Sequence, residues 1–239
     1  MSLRREFFAL QVRFANGVAA LSGVPLASAL LDYTNLYVRF GLGREFDATH
    51  PVWREYVFGL QRSTNADDWT YEFYVTRLPN VGALPADTAI GCFSFARLPG
   101  DRIRLHFQNA EAAGHSPLGA DRRERRLTEL RALFAELRRA ESPGVRVVGA
   151  SWLYNRVSYR SLFPDAYIAT AAVARSLFRH MPLWGQFLDR TGAVKANLAE
   201  ELLRRLAGQS SVDGLDRCFP FPVLALEAPA SAFYDHYGL

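Results

Sequence analysis

Twenty residues in the second half of the chain, Val145 to Pro164, restrict its fold more than any other stretch. They read Val-Arg-Val-Val-Gly-Ala-Ser-Trp-Leu-Tyr-Asn, then Arg-Val-Ser-Tyr-Arg-Ser-Leu-Phe-Pro. The first part has the valine density of a buried strand. The second crowds hydrogen-bonding side chains into a few positions and ends at Pro164, which closes a short helical turn over 156–163. Immediately upstream, Leu127, Leu130, Phe134 and Leu137 recur at steps of three and four, so a long helix is predicted to about Ala140, ended by Ser142-Pro143-Gly144. A long helix feeding a buried strand belongs to an α/β fold (α+β in its segregated form), a central mixed sheet with the helix packed on it.

The rest of the chain fits around that core. Phe7, Leu10, Phe14, Val18 and Leu21 form one helical stripe over residues 5–21, stopped by Ser22-Gly23. Val24-Pro25 opens a second helix that carries Leu30, Leu31, Tyr37 and Val38. Thr49-His50-Pro51 starts a third, with Trp53, Tyr56, Val57 and Leu60 on one side. The N-terminal quarter is therefore a helical layer. In Trp69 to Val75 aromatics alternate with Thr and Glu, which suggests a strand, although the spacing of Trp69 and Phe73 also allows a helix. Pro79 to Asp87 is predicted to be loop. Ile90–Leu98 and Ile103–Phe107 flank Pro99-Gly100-Asp101 as a hairpin. Gln108 to His115 reads as a loop, with Ser116-Pro117 placed to open the long helix. Strands are predicted at Tyr167–Ala172, Leu183–Leu188 and Pro222–Leu226, a helix at Asn197–Ala207, and a last helical turn in the tail. With no repeat and no linker-like stretch, the expectation is one domain over 1–239: a helical part to residue 65, a hairpin–helix–strand core over 66–175, and an α/β extension over 176–239.

At 239 residues and 49% hydrophobic, the chain can bury a full core without staples. Charged residues are 22%, an ordinary globular share. Cys92 and Cys218 stand far apart with no ligand-spaced partner, which excludes a disulfide framework and a zinc finger and suits a reducing cytoplasm. No apolar run reaches membrane-span length, and the N-terminus lacks a signal-peptide core, so a soluble cytoplasmic protein is expected. The net charge of +4 is carried almost wholly by arginine, Lys195 being the only lysine. In the densest charged run, Asp121 to Glu141, seven arginines stand against five acids, the pattern of a solvated helix face.

The candidate site lies at the carboxyl end of the 145–152 strand, where open α/β sheets leave a crevice. Ser151, Trp152, Tyr154 and Asn155 gather there as ligand-binding candidates; the alternative is that Trp152 is core and Asn155 caps the following helix. His106, at the end of a hairpin strand beside Asn109, is the best-placed general base, since histidine titrates near neutrality. Arg122 and Arg123, if they open the long helix, would attract a phosphate or carboxylate. These residues together predict a polar pocket for a small, anionic molecule. A hydrolase elbow is excluded because Gly149-Ala150-Ser151 continues to Leu153 where a second glycine is needed. No histidine has a partner at metal-site spacing. A helix-turn-helix can be drawn over 15–32, but its second helix offers Pro25, Leu26, Ala27, Ser28 and Asp32, too few base-reading groups and an acid facing phosphates, which argues against nucleic acid.

The order hairpin, long helix, strand, short helix, strand over residues 88–172 resembles the core of the GNAT-like N-acyltransferases. In that family an asparagine ends the strand after the long helix, matched here by Asn155. A small residue follows three later, matched by Ser158, and an aromatic closes the motif, matched by Tyr167. The family's tyrosine falls on Leu162, which leaves Tyr159 as the substitute. The family's glycine-rich pyrophosphate loop corresponds to Ser116-Pro117-Leu118-Gly119-Ala120-Asp121-Arg122-Arg123, with one glycine and an intervening acid. The resemblance implies acyl transfer from CoA or acetyl-CoA and makes Tyr159 a catalytic candidate beside His106, which its own chemistry nominates.

Overall fold

The structure, a computed structural model, describes residues 3–77, 88–111, 115–140, 144–174 and 183–239. The helices among them are α1 (Arg5–Ser22), α2 (Leu26–Tyr33), α3 (Leu36–Arg39), α4 (Pro51–Arg62), α5 (Ala66–Arg77), α6 (Arg123–Ala140), α7 (Val157–Arg160), α8 (Asp165–Ile168), α9 (Ala196–Ala207) and α10 (Ala230–Tyr237). The strands are β1 (Thr88–Ile90), β2 (Phe93–Leu98), β3 (Arg102–Phe107), β4 (Arg146–Ser151), β5 (Ala172–Val173) and β6 (Leu224–Pro229). Internal contacts divide the chain into two compact units, 1–84 with 176–221, and 85–175 with 222–239.

The first unit is helical. α1 buries Phe7, Phe8, Leu10, Phe14 and Val18 and stops at Gly23, whose φ of 74° only glycine takes without strain. The second predicted helix breaks into α2 and α3. Thr34 sends its hydroxyl back to the Leu30 carbonyl, and the Asn35 N–H donates to the Gln11 side chain at 2.9 Å, so the backbone leaves the helix there. His50 caps α4 by accepting from the Val52 N–H at 3.2 Å. Residues 69–75 are helix, within α5, and not strand. The Asn65 side chain accepts from the N–H groups of Asp67 and Asp68 at 3.1 and 3.2 Å, and those two acids sit at the positive end of the helix. Capping and dipole outweigh the alternation of aromatics. Leu183–Leu188 is likewise not a strand; Trp184–Phe187 forms a 3-10 turn whose rings pack with Phe14 and Phe219.

The second unit is built on a mixed sheet in the order β1-β2-β3-β4-β6-β5. β3 and β4 are parallel, and every other pairing is antiparallel. The β2–β3 hairpin turns at Gly100 and Asp101, both at positive φ. The predicted strand at 90–98 is interrupted at Gly91 and Cys92, because the Glu129 carboxylate takes the Cys92 N–H at 3.0 Å. Ile103 and Leu105 bury one sheet face against Leu130, Leu133, Phe134 and Leu137 of α6, and Phe134 stacks on Phe233 of α10 at 4.5 Å. α6 itself begins at Arg123, after a 3-10 turn at Ala120–Arg122, and not at Pro117. Residues 167–172 hold the end of α8 and only the first residue of β5, since Pro164 and Asp165 begin a helical turn. Pro79–Asp87 and Ser142-Pro143 lie outside the described residues, as do 112–114 of the loop after β3.

Among the described residues no single helix is long and apolar enough to cross a membrane. α1 and α2 pass the test only together, across a bend of 118°, and α1 buries one face, including Phe7, Phe8, Phe14 and Val18.

Candidate functional site

The parallel seam between β3 and β4 is short. Its register pairs Arg102, Ile103 and Arg104 with Arg146, Val147 and Val148, and pairs nothing beyond. β3 continues through Leu105, His106 and Phe107, and β4 through Gly149, Ala150 and Ser151. The outer sides of both strands stay paired over those residues, β3 with β2 and β4 with β6. Two neighbouring strands thus part towards their carboxyl ends and leave a wedge. α6 joins them and must run back against them, so its first turn lies at that same end of the sheet.

This topology brings the carboxyl ends of β3 and β4 and the start of α6 to one edge of the unit. It does not bring His106 and Tyr159 face to face. Strand alternation sends His106 to the side opposite Phe107, and Phe107 packs edge-on against Tyr159 at 5.4 Å. Asn109 is exposed, and its side chain accepts from the Glu111 N–H at 3.0 Å, bending the loop after β3. Ser151 is half-buried and accepts from the Leu153 N–H at 3.1 Å, opening a 3-10 turn at Trp152–Asn155. Trp152 is half-buried on that turn. Asn155 does not cap α7, whose preceding residue is Arg156. Its amide instead donates to the carbonyls of Trp152 and Pro222 at 2.8 and 2.9 Å, tying the strand end to the chain entering β6. Arg122 sits in the 3-10 turn with the Asp121 carboxylate at 3.3 Å and His115 at 3.1 Å, and Arg123 opens α6 with Glu124 at 3.0 Å. Each arginine charge at this helix start is partly answered by an adjacent acid.

Tyr154 and Tyr159 lie in a buried aromatic cluster under the wedge. Tyr154 and Tyr167 share a hydrogen bond of 2.9 Å, and Phe163 packs against both as well as against Tyr159. Burial raises the pKa of all three phenols, reinforced at Tyr154 and Tyr159 by the neighbouring tyrosines, so they stay neutral over the physiological range. Gly149 makes the cluster possible, because a Cβ there would run into the hydroxyls of Tyr167 and Tyr154. The polar groups of these two candidates are spent on one another inside the protein.

A second polar group was not anticipated. Arg126, expected on a solvated face, is 1% exposed and pairs with Glu111 and Glu129 at 2.7 Å each, while its guanidinium also meets the Cys92 thiol. Arg125 reaches both carboxylates at 3.4 Å from the surface. The network anchors the loop after β3 and the β1–β2 turn to α6. The signal in the sequence was positional: Arg126 stands four residues before Leu130, on the apolar stripe and not beside it.

Among the described residues, no group of three or more His, Cys, Asp or Glu could hold a metal ion. Neither protein-family models, nor curated proteins, nor solved structures give a match to this chain.

Proposed function

We propose that the second unit is a GNAT-like N-acyltransferase that takes an acyl group from a CoA thioester and passes it to an amine. The observation that carries this reading is the wedge: two parallel strands that pair for three residues and then part, beside a helix that starts at their open end. An extended molecule with amide groups, such as the pantetheine arm of CoA, can supply the hydrogen-bonding partners that the parting strands no longer give each other, by the logic of strand addition. Over 88–172 the hairpin β2–β3, the long helix α6, the strand β4 and the short helix α7 follow one another in the chain, and this succession supports the reading.

In the reaction the amine nitrogen attacks the thioester carbonyl, a C–N bond forms and the C–S bond breaks. The thiolate leaves with the electron pair, and the amine must lose a proton. His106, near the end of β3, is the residue assigned to accept it. Tyr159 acts as a wall of the wedge through Phe107, and as a neutral phenol it holds its own proton. A reducing cytoplasm suits the chain, since Cys92 and Cys218 are both free and buried.

Calorimetric titration of the whole protein with acetyl-CoA is expected to give saturable heat; no heat at millimolar ligand would overturn the proposal. Replacing His106 with alanine is expected to lower thiol release to a panel of primary amines by about a hundredfold. The acetyl-CoA affinity should be kept, because the histidine works on the acceptor.

A further inference from the structure

We propose that the first unit carries a separate binding site for a small amphiphilic carboxylate, in a cleft between α2 and α4. The cleft has a volume of about 320 Å³, at the lower end of the ~300–1,000 Å³ typical of small-molecule sites. Its floor is Trp53 and Leu31, both buried, and Val57 and Phe58 form one wall. Phe58 is 60% exposed and forms the outer edge of that wall. The Arg62 guanidinium stands 5.1 Å from the centre of that ring.

The polar side chains of the lining are Ser28, Arg54 and Gln61, of which Arg54 alone is charged. Arg54 lines the cleft and forms no ion pair among the described residues, and Ser28 supplies a hydroxyl from α2. A planar guanidinium pairs with carboxylates and phosphates, and of these a carboxylate on a short hydrocarbon tail also suits the apolar floor of so small a cleft. A nucleotide or sugar would need several more hydrogen-bonding partners than this lining holds. Charge complementarity and the apolar floor therefore select the same class of ligand. The site is independent of the acyl-transfer reading, since every residue in it belongs to the first unit.

The test uses the whole protein and three probes in parallel calorimetric titrations: sodium octanoate, octanol, and vesicles of phosphatidylglycerol. Octanoate is expected to bind saturably. Arg54→Gln, at an exposed position, should weaken it about fivefold, the upper range for a solvent-facing ion pair, and leave octanol unchanged. Ser28→Trp, also at an exposed position, should fill the cleft and abolish binding of both. Circular dichroism melting checks that each variant remains folded, and retained acetyl-CoA binding in Ser28→Trp would separate this site from the wedge. The proposal is overturned if octanoate gives no saturable heat, if Arg54→Gln leaves its affinity unchanged, or if Ser28→Trp still binds it. Binding to vesicles without binding of octanoate would also overturn it, assigning the arginine and the exposed ring to a membrane surface.

Discussion

Gly149 has no room for a methyl group, because the hydroxyls of Tyr154 and Tyr167 lie where its Cβ would be. Gly149→Ala should therefore destabilise the protein by about 1–3 kcal/mol in urea unfolding, the cost of overpacking a filled core, even though alanine lowers the entropy of the unfolded chain. An unchanged midpoint would mean that the phenol pair is free to move aside. Arg126 poses the opposite problem, a charge that must not be lost. Arg126→Met leaves Glu111 and Glu129 buried without their main partner and should cost about 3 kcal/mol, the low end for a broken buried pair, because Arg125 still reaches both acids. Adding Glu129→Gln should restore part of that loss, and failure to do so would show that the pairing is not what matters. In the sequence Arg126 stands on the apolar stripe of its helix, but the sealing of neither site was legible there. Alternation and helical spacing assign a residue to a face, but they do not say whether a tyrosine or arginine on that face is sealed in.

Elements with their own caps and turns were legible, and elements decided by a distant partner were not. The hairpin at Gly100-Asp101, the end of α1 at Gly23 and the start of α4 at His50-Pro51 each follow from residues within one turn of the break. Alternating aromatics left residues 69–75 open between strand and helix, and the deciding residue was the Asn65 cap just before α5. The break between α2 and α3 depends on Gln11, and that between β1 and β2 on Glu129, partners 24 and 37 residues away. No local pattern contains that information. Of the predicted site, the order of strand ends and helix start was readable, whereas the position of His106 and Tyr159 on opposite sides of the sheet required the contact of Phe107 with Tyr159.

Across the molecule, several phenols are held in apolar surroundings. Tyr56 in the first unit and Tyr154, Tyr159, Tyr167 and Tyr237 in the second all have pKa values raised, chiefly by burial. Below about pH 10 these phenols are neutral in folded and unfolded chains alike and leave stability unchanged. Above it the unfolded chain releases protons that the folded one retains, so stability must fall as pH rises from that point towards the raised folded values. Alkaline titration should therefore show tyrosinate absorbance from these residues only together with the loss of circular dichroism. Smooth ionisation of all ten tyrosines in a still-folded protein would contradict their burial. The functional claim rests on the wedge between β3 and β4, and hydrogen exchange with and without acetyl-CoA addresses it directly. Peptides covering Leu105–Phe107 and Gly149–Ser151 should gain protection when the ligand is present, while the hairpin turn at Gly100 stays unchanged. Equal exchange at the parted strands in both conditions, at a ligand concentration that gives binding heat, would place the ligand elsewhere and contradict the reading.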